Sequence, residues 1–221
     1  MVDPIKLVTL QEPSSAVSEA YRTLRMNLQY ATLDRSLRTL LVTSPGPDEG
    51  KSTTLSNLAV TMAQVERRVI IVDCDLRRPR LHEIFGLENK DGFTTMMLDD
   101  EMLEHPPLLQ TQVDNLWLLT SGQLPPRPAD ILGSQRMDLV VERLLQECDV
   151  VLFDAPPVVG VTDAVVLATK VDAVLLVVSA GETKREEAQS AIERLKNVNA
   201  HIVGSVLNNA PMTASLSSYY Q

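Results

Sequence analysis

The chain has 221 residues, enough for one sizeable α/β domain, and 44% of them are hydrophobic, which suits a buried sheet. Its formal net charge of −9 argues against broad nucleic-acid binding, because a phosphate backbone needs a basic surface. The two cysteines, Cys74 and Cys148, lack metal-ligand spacing and are expected to be reduced. No apolar run reaches the length of a membrane span, so we expect a soluble, cytoplasmic protein.

Helical and strand patterns alternate along the chain. Residues 15–31 predict an amphipathic helix that Ser14 or Ser15 could cap. Short apolar runs predict strands at 38–43, 69–73, 116–120, 150–154, 173–179 and 202–207, and helices fall at 51–64, 137–147, 163–169 and 185–196. Apolar strands separated by helices are typical of a mostly parallel sheet covered on both faces. We therefore predict a three-layer, doubly wound α/β fold with ligands at the carboxyl ends of the strands.

Two segments depart from this alternation. Residues 91–128 contain several prolines and are predicted to form loops and short helices over one sheet edge. Residues 210–221 have little apolar content and are predicted to form a mobile tail. The domain is accordingly predicted to span residues 1–209.

The segment that joins the first strand to the next helix, TSPGPDEGKSTT, contains Gly50, Lys51 and Ser52 in succession. This triplet at a strand-to-helix turn is typical of a phosphate-binding loop, although an ordinary helix start would also explain it. Read strictly, the pattern requires glycine at position 45, where the chain has Pro45, and the glycine follows at 46. The residues expected to contact nucleotide are Gly46, Pro47, Asp48, Glu49, Gly50, Lys51, Ser52 and Thr53.

Acidic residues close two of the predicted strands. VIIVDCD presents Asp73 and Asp75 at alternate positions, and VVLFD ends at Asp154 after four apolar residues. Solvated turn residues would also explain the first pattern. With Lys51 and Ser52, however, these acids supply what phosphoryl transfer needs: positive charge, metal ligands and a group that orients the nucleophile. Because three acids around one site repel one another, we expect a bound cation, and Mg²⁺ is the natural candidate.

These motifs give the chain a resemblance to a known family. VIIVDCDLRRP is similar to the second Walker motif of the bacterial tyrosine kinases of capsule and exopolysaccharide biosynthesis, and VVLFDAPPV is similar to their Walker B motif. SEAYRTLRMNL resembles their Glu-x-x-Arg-x-x-Arg helix, with Glu19, Arg22 and Arg25 at the motif positions. The resemblance covers nearly the whole chain and implies a P-loop NTPase of MinD/ParA-like architecture.

The resemblance also implies an activity and the residues that perform it. The chain is expected to be an ATP-dependent protein-tyrosine kinase that regulates polysaccharide polymerisation and export. Lys51, Asp73, Asp75 and Asp154 are the expected catalytic residues, with Ser52, Asp75 and Asp154 serving Mg²⁺. Asp73 is expected to lie nearest the incoming tyrosine.

Assembly and partners follow from the same resemblance. Glu19, Arg22 and Arg25 would join subunits into a ring, although a solvated charged stripe would explain them as well. Tyr219 and Tyr220 would be phosphorylated by a neighbouring subunit. The implied partners are a membrane polysaccharide co-polymerase that activates the kinase and recruits it to the inner face of the cell membrane, an opposing tyrosine phosphatase, and protein tyrosine substrates.

Two loop residues distinguish the chain from related patterns: Asp48 departs from the kinase family, and Gly46 departs from the rival class of switch ATPases. Asp48 stands where the family commonly has glycine, which places a carboxylate in a loop that binds phosphates. Switch ATPases of the partitioning and division-site type share the fold, but their first loop lysine would fall at position 46, which is Gly46. A nucleotide-binding regulator without turnover is the third possibility. Asn208, after the last strand, could contact the base or simply form a turn.

Overall fold

The computed structural model describes residues 7–31 and 37–211, and within those ranges the chain forms seven strands and ten helices. The strands are β1 (Thr39–Thr43), β2 (Val69–Asp73), β3 (Leu109–Gln110), β4 (Leu116–Leu119), β5 (Val150–Asp154), β6 (Ala173–Ser179) and β7 (Ile202–Asn208). The helices are α1 (Val8–Gln11), α2 (Ala16–Ala31), α3 (Lys51–Ala63), α4 (Leu81–Phe85), α5 (Phe93–Leu98), α6 (Asp100–Glu104), α7 (Pro128–Leu132), α8 (Gln135–Glu147), α9 (Asp163–Leu167) and α10 (Arg185–Asn197).

The strands form one sheet in the order β3-β4-β2-β5-β1-β6-β7. All neighbouring strands are parallel except β3, which pairs antiparallel with β4 at the edge. β1, β2 and β5 lie together in the interior of the sheet, so their carboxyl ends open at a shared edge. This is the doubly wound, mostly parallel arrangement predicted from the sequence.

Alternate residues of each central strand face opposite sides of the sheet, and both sides are buried. In β1, Leu40 and Val42 pack with Leu55 and Leu58 of α3, whereas Leu41 packs in the other layer with residues such as Leu144 of α8. All six of these leucine and valine positions are fully buried. Covering on both faces explains why these strands are apolar throughout and not alternately polar.

The long elements agree with the predicted bounds to within two residues. Short elements account for the differences: α1, α4, α7 and β3 were not predicted individually, although short helices were expected within 91–128. β3 has only two residues, which is too few for periodicity to show. The predicted tail, with Tyr219 and Tyr220, lies outside the described residues apart from positions 210 and 211.

The segment before the sheet packs on the helix that follows the phosphate-binding loop. Thr9 donates to Oδ1 of Asn57 in α3 through both its backbone N–H (3.1 Å) and its hydroxyl (2.8 Å). Ser15 caps α2, because its Oγ accepts from the backbone N–H of Ser18 at 3.2 Å. The α2 helix is therefore anchored beside α3. None of the helices described is long and apolar enough to cross a membrane.

Candidate nucleotide-binding and phosphoryl-transfer site

The predicted acidic residues meet because of the strand register. Asp73 of β2 and Asp154 of β5 are paired neighbours across the two strands, and both are fully buried. The backbone N–H of Cys74 then donates to the Asp154 carbonyl at 2.9 Å, which continues the pairing past the strand end. The loop after β1 reaches the same edge. The structure therefore brings the predicted acids and the predicted phosphate-binding loop together.

The loop turns into α3 through a left-handed residue. Gly50 has φ +84° and stands immediately before Lys51, the first residue of the helix. A Cβ at Gly50 would lie 2.1 Å from Nδ2 of Asn208, so glycine is required both for the backbone conformation and for the close approach. Asn208 Nδ2 donates to the Glu49 carbonyl at 3.0 Å. The end of β7 therefore supports the loop from behind.

Glu49 points away from the nucleotide side of the loop. Its buried Oε1 accepts from the backbone N–H of Gly46 at 3.2 Å and from the Thr183 hydroxyl at 2.8 Å. Burial raises the pKa of Glu49, against the effect of these hydrogen bonds. Glu49 thus ties the loop to the segment after β6, a structural role that the sequence did not reveal.

A cavity of about 310 Å³ opens in front of the loop. The P-loop residues that line it are Pro47, Asp48, Gly50, Lys51, Ser52 and Thr53, and the opposite wall contains Asp75, Arg78, Arg80, Ile84 and Pro157. Gly46, Glu49 and Asn208, which were also predicted to contact nucleotide, are not among the lining residues. The cavity can accommodate phosphate groups between the start of α3 and the loop after β2.

Asp48 occupies the position where glycine is common in the family. Its φ is +57°, which asparagine, aspartate and glycine tolerate better than other residues, so the departure is compatible with the backbone. The side chain is exposed and lies close enough to Arg80 to raise the pKa of that guanidinium, after the larger effect of Glu83. The carboxylate is therefore on the cavity wall, where its charge would repel a phosphate.

The Lys51 ammonium lies between the buried acids. Its Nζ is 2.9 Å from Asp75 Oδ2 and 3.5 Å from Asp154 Oδ1. The Ser52 hydroxyl donates to the other oxygen of Asp154 at 2.5 Å. Burial lowers the pKa of Lys51, but attraction to Asp154 and Asp75 outweighs burial and leaves the pKa raised. Lysine thus neutralises the acids through direct contact.

Asp73 has a different environment from the other two acids. Its Oδ2 accepts from the backbone N–H groups of Arg80 (3.0 Å) and Leu81 (2.9 Å), while its buried Oδ1 accepts no hydrogen bond from any described residue. Burial, together with repulsion from Asp154, raises the pKa of Asp73 to about 8. Burial also raises the pKa of Asp154, although Lys51 and Ser52 counteract this effect. Burial and repulsion therefore favour the protonated form of Asp73.

Of the predicted magnesium ligands, Ser52 and Asp154 offer suitable oxygens, whereas both Asp75 oxygens already have partners in Arg77, Arg78 and Lys51. No group of three or more His, Cys, Asp and Glu side chains within the described ranges forms a ready-made metal cage. Mg²⁺ at nucleotide sites needs none, because it keeps several waters and takes one or two protein ligands plus phosphate oxygens. The Ser52 hydroxyl and Asp154 Oδ1, which accepts no hydrogen bond from the described residues, are suitable oxygen donors.

An ion pair that sequence reasoning missed fixes the loop after β2. Arg77 binds Asp163 with both Nε (2.8 Å) and Nη2 (3.1 Å), and the Asp163 side chain is completely buried at the start of α9. The backbone N–H groups of Arg77 (3.3 Å) and Arg78 (3.0 Å) also donate to Asp75 Oδ1. Arg77, at the start of the run Arg77, Arg78 and Arg80, therefore has a structural role. Only spatial proximity relates positions 77 and 163, so no local pattern could have predicted the pair.

The three residues predicted to join subunits already make contacts within the chain. Arg22 pairs with Glu19 at 2.7 Å and also donates to the Pro13 carbonyl. Arg25 turns toward α3 and donates to the Thr61 carbonyl at 3.2 Å. All three side chains remain partly exposed. The structure thus places Arg25 apart from the Glu19–Arg22 pair, and their role between subunits stays a prediction.

Comparison with known proteins identifies the class to which this fold and site belong. The family described as "ParA: NUBPL iron-transfer P-loop NTPase" matches residues 37–218. The tyrosine-protein kinase YwqD of Bacillus subtilis is 38% identical over 207 residues, which cover 94% of this chain and 87% of that protein. The kinase domain of Escherichia coli tyrosine kinase ETK superposes with a TM-score of 0.90 at 30% identity, covering 97% of this chain and 84% of that one. The chimerical protein CapA2B2 gives a TM-score of 0.88 at 32% identity, with 95% and 93% covered.

The chain is thus a P-loop NTPase of the ParA/MinD-like class. Within that class it belongs to the bacterial tyrosine kinases of the capsule and exopolysaccharide type, as its motifs predicted. It is a protein-tyrosine kinase, and its class implies nucleotide binding with Mg²⁺.

We predict that Asp73→Asn makes the free energy of unfolding less dependent on pH. The pKa of Asp73 is raised from 3.8 to about 8, so between those values the native protein holds a proton that the unfolded chain has released. The free energy of unfolding of the unmodified protein should therefore fall as pH rises through this window. Relative to the variant, the unmodified protein should lose on the order of 1–3 kcal/mol of unfolding free energy over this window. The loss should level off above the pKa of Asp73 in the native protein. Urea unfolding at a series of pH values without nucleotide measures it.

Asp149→Asn is the matched control. Hydrogen bonds from Arg68 lower the pKa of Asp149, so this exposed carboxylate stabilises the protein at neutral pH and loses that effect as pH falls. Removing the Asp149 carboxylate should change the pH dependence of the unfolding free energy in the opposite direction to Asp73→Asn, and by a smaller amount. Parallel stability curves for Asp73→Asn and the unmodified protein would show that Asp73 titrates alike in both states.

A second prediction concerns Asp48. Asp48→Gly should tighten binding of Mg²⁺-nucleotide roughly three- to tenfold at low salt, because it removes a negative charge from the phosphate cavity and glycine adopts φ +57° freely. Titration calorimetry measures the affinity. Asp48→Asn removes only the charge and should behave similarly. Equal affinities for all three proteins would show that the carboxylate does not affect the bound phosphates.

Proposed function

We propose that this kinase transfers the γ-phosphoryl group of ATP to tyrosines in the C-terminal tail of a neighbouring copy. The observation that carries the proposal is the convergence of Lys51, Ser52 and Asp75 on one cavity, with the buried Asp154 in contact with Lys51 and Ser52 behind it. The loop in front of α3 supplies backbone N–H groups and Lys51 supplies positive charge, the two features that hold a polyphosphate. Tyr219 and Tyr220 are the proposed acceptors.

The proposed reaction forms a bond between the phenolic oxygen and the γ-phosphorus as the bond to the β–γ bridging oxygen breaks. Ser52, Asp75 and Asp154 would hold Mg²⁺, which when bound neutralises charge on the phosphates. To serve the phosphates, Lys51 must release part of its contact with Asp75 and Asp154. Asp75 and Asp154 would then be compensated by the metal ion that they and Ser52 would hold.

The phenolic proton is proposed to pass to Asp73. Its Oδ1 accepts no hydrogen bond from the described part of the chain and can therefore accept one from the phenol. Because its pKa is raised to about 8, Asp73 must first release the proton that it holds near neutral pH. Because Asp73 is fully buried while Asp75 lines the cavity, a water is proposed to bridge Asp73 to the acceptor. Asp75 and Asp154 retain the metal-binding role.

The cellular setting is also part of the proposal. A ring of copies would bring one subunit's tail to the next subunit's cavity, with α2 at the contact. A membrane polysaccharide co-polymerase would activate the kinase and recruit it to the inner face of the cell membrane, and a tyrosine phosphatase would reverse the modification. Protein tyrosines outside the tail would be further substrates in control of capsule or exopolysaccharide export.

We predict that incubation with labelled ATP and Mg²⁺ places phosphate on the tail. Tyr219→Phe combined with Tyr220→Phe should remove most of the incorporated label, and Lys51→Met should remove nearly all of it. Tyr30→Phe is the matched control, since Tyr30 is an exposed tyrosine on α2. Release of free phosphate without phosphotyrosine would instead indicate a switch ATPase, and nucleotide binding without either product would indicate a regulator that lacks turnover.

A further prediction concerns assembly. Changing Glu19, Arg22 and Arg25 together to alanine should reduce a large oligomer to monomers in sedimentation velocity. A control triple variant, with alanine at Arg185, Glu186 and Arg194 of α10, should leave the mass unchanged. Circular dichroism would confirm that α2 persists, because the change also removes the Glu19–Arg22 pair. An oligomer of unaltered mass in the first variant would eliminate α2 as the interface.

A further inference from the structure

Three cationic side chains line the phosphate cavity. Lys51 comes from the start of α3, and Arg78 and Arg80 come from the loop after β2 on the opposite wall. The proposed function uses only Lys51. The loop after β2 therefore places the positive charges of Arg78 and Arg80 beside the expected position of the phosphates, and the proposed function gives them no role.

The three cations differ in how far carboxylates already neutralise them. Lys51 contacts Asp75 at 2.9 Å, and Arg80 contacts Glu83 at 2.8 Å. Arg78, by contrast, makes no ion pair with any residue in 7–31 or 37–211, and its side chain is exposed. Arg78 is thus the cavity cation whose charge is available to a ligand.

The backbone of Arg78 is held in place at the cavity wall. Its backbone N–H donates to Asp75 Oδ1 at 3.0 Å, and the preceding residue is clamped by the bidentate Arg77–Asp163 pair. Pro79 follows and restricts the backbone further. The guanidinium can move, but the position of the Arg78 backbone relative to Asp75 is fixed by this hydrogen bond.

We propose that the Arg78 guanidinium binds the γ-phosphoryl group of ATP and stabilises the charge that spreads over its oxygens during transfer. This rests on the proposed function, because it takes ATP as the donor. A guanidinium binds phosphate oxygens through two parallel hydrogen bonds, and such a contact acts most strongly where charge develops in the transition state. Contact with the acceptor peptide is less favoured, since residues 210–221 contain no aspartate or glutamate.

Arg78→Gln tests the proposal by comparing two nucleotides. The variant should bind the Mg²⁺ complex of the β,γ-imido analogue of ATP at least tenfold more weakly than the unmodified protein, while binding of Mg²⁺-ADP changes less than twofold. Arg78→Lys should bind the ATP analogue with an affinity between those of Arg78→Gln and the unmodified protein. Arg127→Gln, at an exposed arginine outside the cavity lining, is the control and should match the unmodified protein. Equal weakening of both nucleotides, or no weakening, would overturn the assignment.

Activity separates the γ-phosphoryl role from an acceptor role. Arg78→Gln should lower phosphate release to water and tyrosine phosphorylation by the same factor, on the order of a hundredfold or more. Loss of tyrosine phosphorylation with unchanged phosphate release would place Arg78 on the acceptor and contradict the proposal. If Arg78→Gln weakens binding of the ATP analogue but not of ADP, and the unmodified protein never phosphorylates tyrosine, the proposed tail phosphorylation fails and the assignment of Arg78 stands. If it binds neither nucleotide, both fail.

Discussion

The site depends on one electrostatic constraint: carboxylates are buried at the carboxyl edge of the sheet, and positive charge must compensate them. Asp73 and Asp154 are fully buried neighbours in the register of β2 and β5, and Asp75 follows two residues later. Isolated ionised carboxylates in such an environment would be very costly. Lys51 lies within 3.5 Å of two of them and reduces that cost. Asp73, which lacks a direct contact of this kind, has its pKa raised to about 8.

This constraint links the architecture to the chemistry. β1, β2 and β5 are adjacent, so the phosphate-binding loop and the acids arise at the same edge without any long connection. Hydrogen bonds then hold the two walls of the cavity: the Val158 N–H donates to the Ser44 carbonyl at 2.9 Å, and the Arg77–Asp163 pair fixes the other wall. In the structure the Lys51 ammonium already contacts Asp75 and Asp154. Under the proposed function, nucleotide binding would exchange these carboxylate contacts for phosphate contacts.

Sequence patterns predicted the parts of the molecule that depend on local periodicity. Apolar strands such as β5 and the Gly50–Lys51–Ser52 turn were recognisable because each is a continuous segment with a regular requirement. The direction of the Glu49 side chain and the Arg77–Asp163 pair were not, because both depend on residues more than eighty positions away in the chain. The two-residue strand β3 is too short to carry a pattern. Asp48 was an apparent defect, and its backbone angle shows that the loop accepts it.

The most direct measurement of the central interaction is a double-mutant cycle in unfolding free energy between Lys51 and Asp154, with Lys51→Met, Asp154→Asn and the combined variant unfolded in urea without nucleotide. If the ammonium compensates the buried acid, each single change leaves the other group without its partner. The cycle should then show a favourable coupling of at least about 1 kcal/mol, with the combined variant more stable than the single changes add up to. A coupling near zero would contradict the claim that Lys51 holds these carboxylates in place.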